Sequence, residues 1–173
     1  KCDIEVIKLQ NWKHSDSYSL PIRPSPNLPN DQAVRLYPSL CLFEGTTISV
    51  GRGTQIPFLV LGNPELKNMP FSFTPKAIPG MSNTPPHENK TCYGIDLREV
   101  KVEPRINLGY LIDFYKLYPD KEKFFIESFN RLAGTPMLQQ QIKDGLSEED
   151  IRASWQKGLD AYKEMRKKYL LYD

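Results

Sequence analysis

The chain predicts an α+β fold: a small, mostly antiparallel sheet with proline-rich loops, followed by packed C-terminal helices. Two observations carry this. Between residues 47 and 97, short β-type runs are punctuated by proline and glycine. From Leu108 onward, apolar residues recur at helical spacing instead. The two patterns are segregated along the chain, sheet first and helices after.

Residues 3–9 set Ile4 and Val6 against Glu5 and Ile7 and read as a strand entering from an upstream domain. Residues 11–30 are rich in Pro and Ser and keep no helical period. Asn30 or Asp31 is placed to cap a short helix through Leu36. Pro38 then suits the first turn of a second helix, ending at Glu44-Gly45 with the glycine in a left-handed cap. The β-type runs are 47–50, 57–61, 71–77 and 91–97, and residues 79–89, with three prolines, read as an exposed loop. Leu108, Leu111, Ile112, Tyr115 and Tyr118 share one helical face, closed by Pro119. Thr135-Pro136 starts a helix that stops at Gly145. The last helix has the clearest start. Ser147 caps it, Asp150 holds the capping-box position and Leu146 can staple to Ile151. Its apolar face runs Ile151, Trp155, Leu159 and Tyr162 toward Tyr169.

At 173 residues the chain fits one domain, burying about two thirds of its unfolded surface. Its 39% hydrophobic and 25% charged residues are ordinary for a globular domain, and a formal charge of +2 points to no nucleic-acid partner. No run of about eighteen apolar residues is present to span a membrane. No signal peptide opens the chain, and its strand-like start suggests an excised piece of something larger. Cys2, Cys41 and Cys92 are odd in number and widely spaced, which excludes a disulfide framework and weakens zinc and redox readings. Cys41, between Leu40 and Leu42, is expected to be buried and unpaired.

The densest chemistry lies between residues 37 and 54, where Tyr37, Glu44, Thr46, Ser49, Arg52 and Thr54 surround Gly45, Gly51 and Gly53. Glycines let backbone turn sharply and approach a ligand. Carboxylates, guanidinium and hydroxyls at such turns suit polyols and carboxylates. Glu44 in a last helical turn opposes the helix dipole by about 0.3–1 kcal/mol, and Arg52 is the nearest basic residue to offset it. The two form either a structural pair or a ligand grip. Asn27, in Pro24-Ser25-Pro26-Asn27-Leu28-Pro29, is either a turn residue or an amide offered to a sugar. Gly51-Arg52-Gly53-Thr54 lacks the Walker lysine and reads as a tight turn between strands. His14 and His87 have no metal-ligand spacing, and His87-Glu88 reads as a solvated surface pair. Tyr162, Tyr169 and Tyr172 read as core and rim packing.

The motifs Leu20-Pro21, Pro24-Ser25-Pro26-Asn27-Leu28-Pro29, Glu44-Gly45-Thr46, Gly51-Arg52-Gly53-Thr54 and Leu132-Ala133-Gly134-Thr135, with the run from Arg166 to Tyr172, occur in this order. Together they resemble the C-terminal half of the NamZ-type exo-β-N-acetylmuramidases, over nearly the whole chain. One stretch differs: between Pro64 and Pro70 that family has a longer, helix-like segment. The resemblance implies a two-domain glycoside hydrolase whose catalytic glutamate sits in a preceding Rossmann-like domain absent here. This chain would close the cleft and hold a terminal N-acetylmuramic acid of peptidoglycan fragments. The implied substrate-binding set is Glu44, Thr46, Arg52, Thr54, Asn27 and Tyr37, with no catalytic residue, metal or cofactor in this chain. A periplasmic or extracytoplasmic setting follows from the same resemblance. The competing expectation is a non-catalytic glycan-binding or protein-interaction module.

Overall fold

In the computed structural model, which describes residues 2–172, the first helix begins where its cap predicts. The Asn30 side chain accepts from the Ala33 N–H at 3.0 Å and opens α1 (Asp31–Leu40). Ala33, Leu36 and Leu40 form its buried face. The expected break at Leu36 does not occur, and Pro38 lies inside one continuous helix. Proline removes one helical hydrogen bond. Here the buried Leu36 and Leu40 hold both flanks to the core, and the Cys41 N–H still reaches the Tyr37 carbonyl. A 3-10 turn, Cys41–Gly45, follows. Gly45 is not in the left-handed region. Its role is close approach: a Cβ there would stand 2.6 Å from the Phe129 Cα.

The sheet has three antiparallel strands, β1 (Val60–Asn63), β2 (Phe71–Phe73) and β3 (Cys92–Asp96), in the order β1-β3-β2. The fold is α+β, as the segregated patterns predict. The first strand starts later than its apolar run because Phe58 turns the chain at φ +56°. The run at 71–77 pairs only to Phe73, before Thr74-Pro75; proline cannot donate to a ladder. The run at 47–50 contributes a single antiparallel bridge, Ser49 to Gly62. Residues 3–9 form no strand, and their one hydrogen bond among the described residues runs from the Leu9 N–H to the Tyr172 hydroxyl at 2.8 Å, leaving Ile4 78% and Ile7 91% exposed.

Behind the sheet, α2 (Gly109–Leu117) buries Leu111, Ile112 and Phe114 and ends just before Pro119. Two short helices, α3 (Lys121–Phe124) and α4 (Phe129–Ala133), escape sequence reading because neither shows a full apolar period. They flank an aromatic cluster in the core: Phe125, between them, lies 4.5 Å from Phe129 and 4.9 Å from Phe124, ring to ring. α5 (Met137–Lys143) stops before a left-handed Gly145, as expected. The Ser147 side chain accepts from the Asp150 N–H at 3.1 Å and opens α6 (Glu148–Arg166), with Ile151 fully buried. Beyond Trp155 this helix leaves the core, so Leu159, Tyr162 and Tyr169 are exposed rather than packed.

The thiols also divide differently. Cys92 is fully buried, and desolvation pushes its thiol up to about 12. Cys41 is free and only half-buried, because Leu40, Leu42 and Phe43 take the core positions on either side. Its thiol is raised by burial and by the Glu44 carboxylate. Thiolates, not thiols, react. Native labelling is therefore expected to run Cys2 first, Cys41 slowly and Cys92 only after unfolding; equal rates for Cys41 and Cys92 in a mass-spectrometric time course would contradict this burial order.

Candidate functional site

The loop that follows α1 is pinned before it turns outward. The Thr47 N–H donates to the Phe124 carbonyl at 2.9 Å. Ser49 exchanges two backbone bonds with Gly62, at 2.8 and 3.0 Å. The Phe58 N–H closes onto the Val50 carbonyl at 2.7 Å. Between these anchors Gly51 and Gly53 adopt φ +80° and +81°, a region unfavourable to residues with a Cβ. Space forbids a Cβ too: at Gly51 it would meet Val60 Cγ2 at 2.6 Å, and at Gly53 the Pro85 ring at 2.6 Å. Arg52 is presented between them.

Arg52 Nε donates to Glu44 Oε1 at 2.9 Å, and Nη2 lies 2.7 Å from the same oxygen. The guanidinium sits 5.2 Å above the Phe58 ring centroid, and Tyr37 packs edge-on against Phe58 at 5.0 Å. Both contacts fall on one carboxylate oxygen, so Glu44 Oε2 and Arg52 Nη1 have no partner among the described residues. The pair is half-exposed at the mouth of a cleft of about 380 Å³ that Thr46, Thr47, His87 and Ile126 also line. That volume is within the range of about 300–1,000 Å³ typical of small-molecule sites.

The other expected site residues are placed less directly. Thr46 lines the cleft, but its hydroxyl donates to the Phe43 carbonyl at 2.8 Å and accepts from the Ile48 N–H. The Thr54 hydroxyl donates to the Gly51 carbonyl at 2.7 Å and accepts from the Ile56 N–H, closing the glycine turn. Tyr37 reaches the pair only through Phe58. Asn27 is buried, and its amide donates to the Met81 carbonyl at 2.9 Å while Oδ1 stays unpartnered. The structure thus joins Glu44, Thr46 and Arg52 in one cleft and sets Asn27 and Thr54 at loop junctions.

One cleft residue, His87, and a buried neighbour behind it, Asn63, were not expected to meet. His87 is not a solvated partner of Glu88. Its ring turns inward, with Nε2 2.7 Å from the Thr47 carbonyl, while Glu88 accepts from the Ala77 N–H at 3.3 Å. Buried Asn63, at the end of β1, donates to the same Thr47 carbonyl at 2.7 Å and accepts from the Glu65 N–H at 2.9 Å. His87 holds φ +58° and Asn89 φ +60°, at about 1–2 kcal/mol each for a residue with a Cβ. That pair of turn-tolerant residues after Pro85-Pro86 was the one local sign that the loop folds back. Among the described residues, no group of three His, Cys, Asp or Glu side chains is placed to hold a metal, and no helix is long and apolar enough to cross a membrane.

The chain and its fold have known counterparts. Residues 35–172 match the family described as exo-beta-N-acetylmuramidase NamZ, C-terminal, and the chain belongs to that family. A curated relative, the peptidoglycan beta-N-acetylmuramidase NamZ of Bacillus subtilis (strain 168), is 34% identical over 98% of this chain and 46% of its own length. A crystal structure of a DUF1343 family protein from Bacteroides fragilis NCTC 9343 is 45% identical, with a TM-score of 0.94 over 99% of this chain and 50% of that one. A second DUF1343 protein from the same organism, 20% identical at a TM-score of 0.65, shares the fold. The chain spans about half the length of the relatives it matches.

Proposed function

We propose that this chain is the C-terminal, cleft-forming half of a peptidoglycan-degrading glycoside hydrolase that releases N-acetylmuramic acid from non-reducing ends. The observation that carries the reading is Arg52, held by Glu44 and Phe58 at a cleft mouth with one guanidinium nitrogen free. N-acetylmuramic acid differs from N-acetylglucosamine by a lactyl ether bearing a carboxylate, and a planar guanidinium is the group that grips a carboxylate. Glycosidases usually work with two carboxyl groups across the scissile bond. Among the described residues lining this cleft, Glu44 is the one carboxylate, and it is committed to Arg52. The proton-donating group therefore belongs to the half of the relatives' length that this chain does not span. The exposed Ile4, Val6, Ile7 and Leu9, with Leu159, Tyr162 and Met165 on α6, supply apolar surface for that half to cover. A periplasmic or extracytoplasmic location goes with such a substrate.

The test has two arms on the 173-residue chain. A chromogenic N-acetylmuramide is expected to give no turnover. Saturation-transfer NMR is expected to show N-acetylmuramic acid binding at least about tenfold more tightly than N-acetylglucosamine, the scale of one charge-assisted contact. Turnover by the chain alone, or equal binding of the two sugars, overturns the reading. No binding of either favours the protein-interaction module instead.

A further inference from the structure

We infer that His87 is a third sugar-contacting residue of this cleft, offering its Nδ1 as an acceptor to a hydroxyl or acetamido N–H of the bound sugar. The inference rests on the reading of the cleft as a muramic-acid site and adds a second lining side chain to Arg52. Four observations lead here. The His87 ring lines the same cleft as Glu44 and Arg52. Its Nε2 lies 2.7 Å from the Thr47 carbonyl and 3.4 Å from Asn63 Nδ2, which already donates to that carbonyl; the shorter contact, to a group that only accepts, puts the hydrogen of the neutral ring on Nε2 and the lone pair on Nδ1. Nδ1 has no partner among the described residues. On the same wall the buried Thr47 hydroxyl also lacks one.

The backbone supports a function for this placement rather than a packing role. His87 and Asn89 both hold left-handed conformations, and such outliers persist where the surroundings over-determine them. The surroundings do so here: Asn63 and His87 share the Thr47 carbonyl, while the Lys90 N–H bonds back to the His87 carbonyl at 3.0 Å. The ring is locked at one edge and open at the other. Arg52 answers the carboxylate of the ligand; His87 answers a donor on its sugar ring. The cleft then discriminates at two points of one monosaccharide.

The chain has two histidines, which makes the test direct. His14 packs against Trp12 at 4.9 Å, outside the residues that line the cleft, and serves as an internal control. In a carbon–proton NMR titration of the unmodified chain with N-acetylmuramic acid, the His87 imidazole signals are expected to shift saturably while those of His14 stay still. The Arg52 Nε–H signal reports the carboxylate grip in the same samples. His87→Gly removes the ring while suiting the left-handed backbone, and it is expected to weaken binding roughly three- to tenfold, the scale of one neutral hydrogen bond. If Arg52 responds, His87 does not, and His87→Gly binds as the parent chain does, the inference fails and the cleft reading stands. If neither residue responds, both fail. A lower melting temperature with unchanged affinity in His87→Gly assigns the ring to structure and likewise overturns the inference.

Discussion

Gly94→Ala is expected to remove most of the protein's stability. Gly94 sits in the central strand β3, directly opposite Gly62 on β1 and beside Phe71 on β2. A Cβ at this position would stand 1.7 Å from the Leu61 carbonyl oxygen and 2.6 Å from the Gly62 Cα. Both are backbone atoms of the paired strand, so no rotamer change relieves the clash; the strands must separate. A loss above about 4–5 kcal/mol is exceptional for a point change and follows from forced overpacking of this kind. It is comparable with the whole stability of an ordinary domain, about 5–15 kcal/mol. The cleft fails with the sheet, because Gly62 is also the residue that holds Ser49 and with it the Arg52 loop. Gly80→Ala is the control for open space: its φ, unlike that of Gly94, is positive, at +76°, but no atom lies within 4 Å of the added Cβ. Thermal circular dichroism should show Gly80→Ala folded and Gly94→Ala unfolded or nearly so. A parent-like Tm for Gly94→Ala would mean that β1 and β3 are not paired in this register.

The largest functional effect is expected at Arg52. Its side chain makes one half-exposed ion pair and one contact over an aromatic ring, worth about 0–1 and 0.5–1 kcal/mol respectively. Removing both costs a few degrees of Tm in a chain of this size. A charge-assisted grip on a ligand carboxylate is worth about 1.5–3 kcal/mol, or roughly ten- to a hundredfold in affinity. Arg52→Ala should therefore lower N-acetylmuramic acid binding by that factor while Tm falls by no more than those few degrees. N-acetylglucosamine, which has no lactyl carboxylate, should bind as before. If Arg52→Ala unfolds the chain and its folded fraction binds normally, the pair is a structural fastener, and Glu44 loses its place in the site with it.

Local signals were legible in the sequence and distant pairings were not. Asn30, Ser147 and Gly145 mark real helix ends because a cap is decided within four residues. The β-type runs between prolines and glycines located β3 well, yet they misplaced the start of β1, since nothing in the apolar run showed that Phe58 would turn left-handed. Proline was over-read in the other direction: tertiary packing carried α1 through Pro38. In the cleft, Glu44 and Arg52 stood out because they lie eight residues apart across one turn. His87 meets Thr47 from forty residues away, and Asn63 meets it from sixteen, so the local sign of a returning loop after Pro85-Pro86 could not say which carbonyl they reach.

The pinning of the cleft loop has a consequence for how the molecule is made. The loop that carries Glu44 and Arg52 leans on the chain segment at the end of α3, where Thr46 bridges Phe125 and the Ile126 N–H reaches the Gly45 carbonyl at 3.0 Å. Joining them closes a loop of about eighty residues, an entropic cost that local hairpins and helices do not carry. Long-range closures of this kind form late, and synthesis proceeds from the N-terminus. A nascent chain that has already paired Arg52 with Glu44 and Phe58 therefore lacks the support beneath Gly45 to Thr47 until Phe124 to Ile126 have left the ribosome. The sugar-binding competence proposed for this cleft would then arrive with the C-terminal third, as a step in translation.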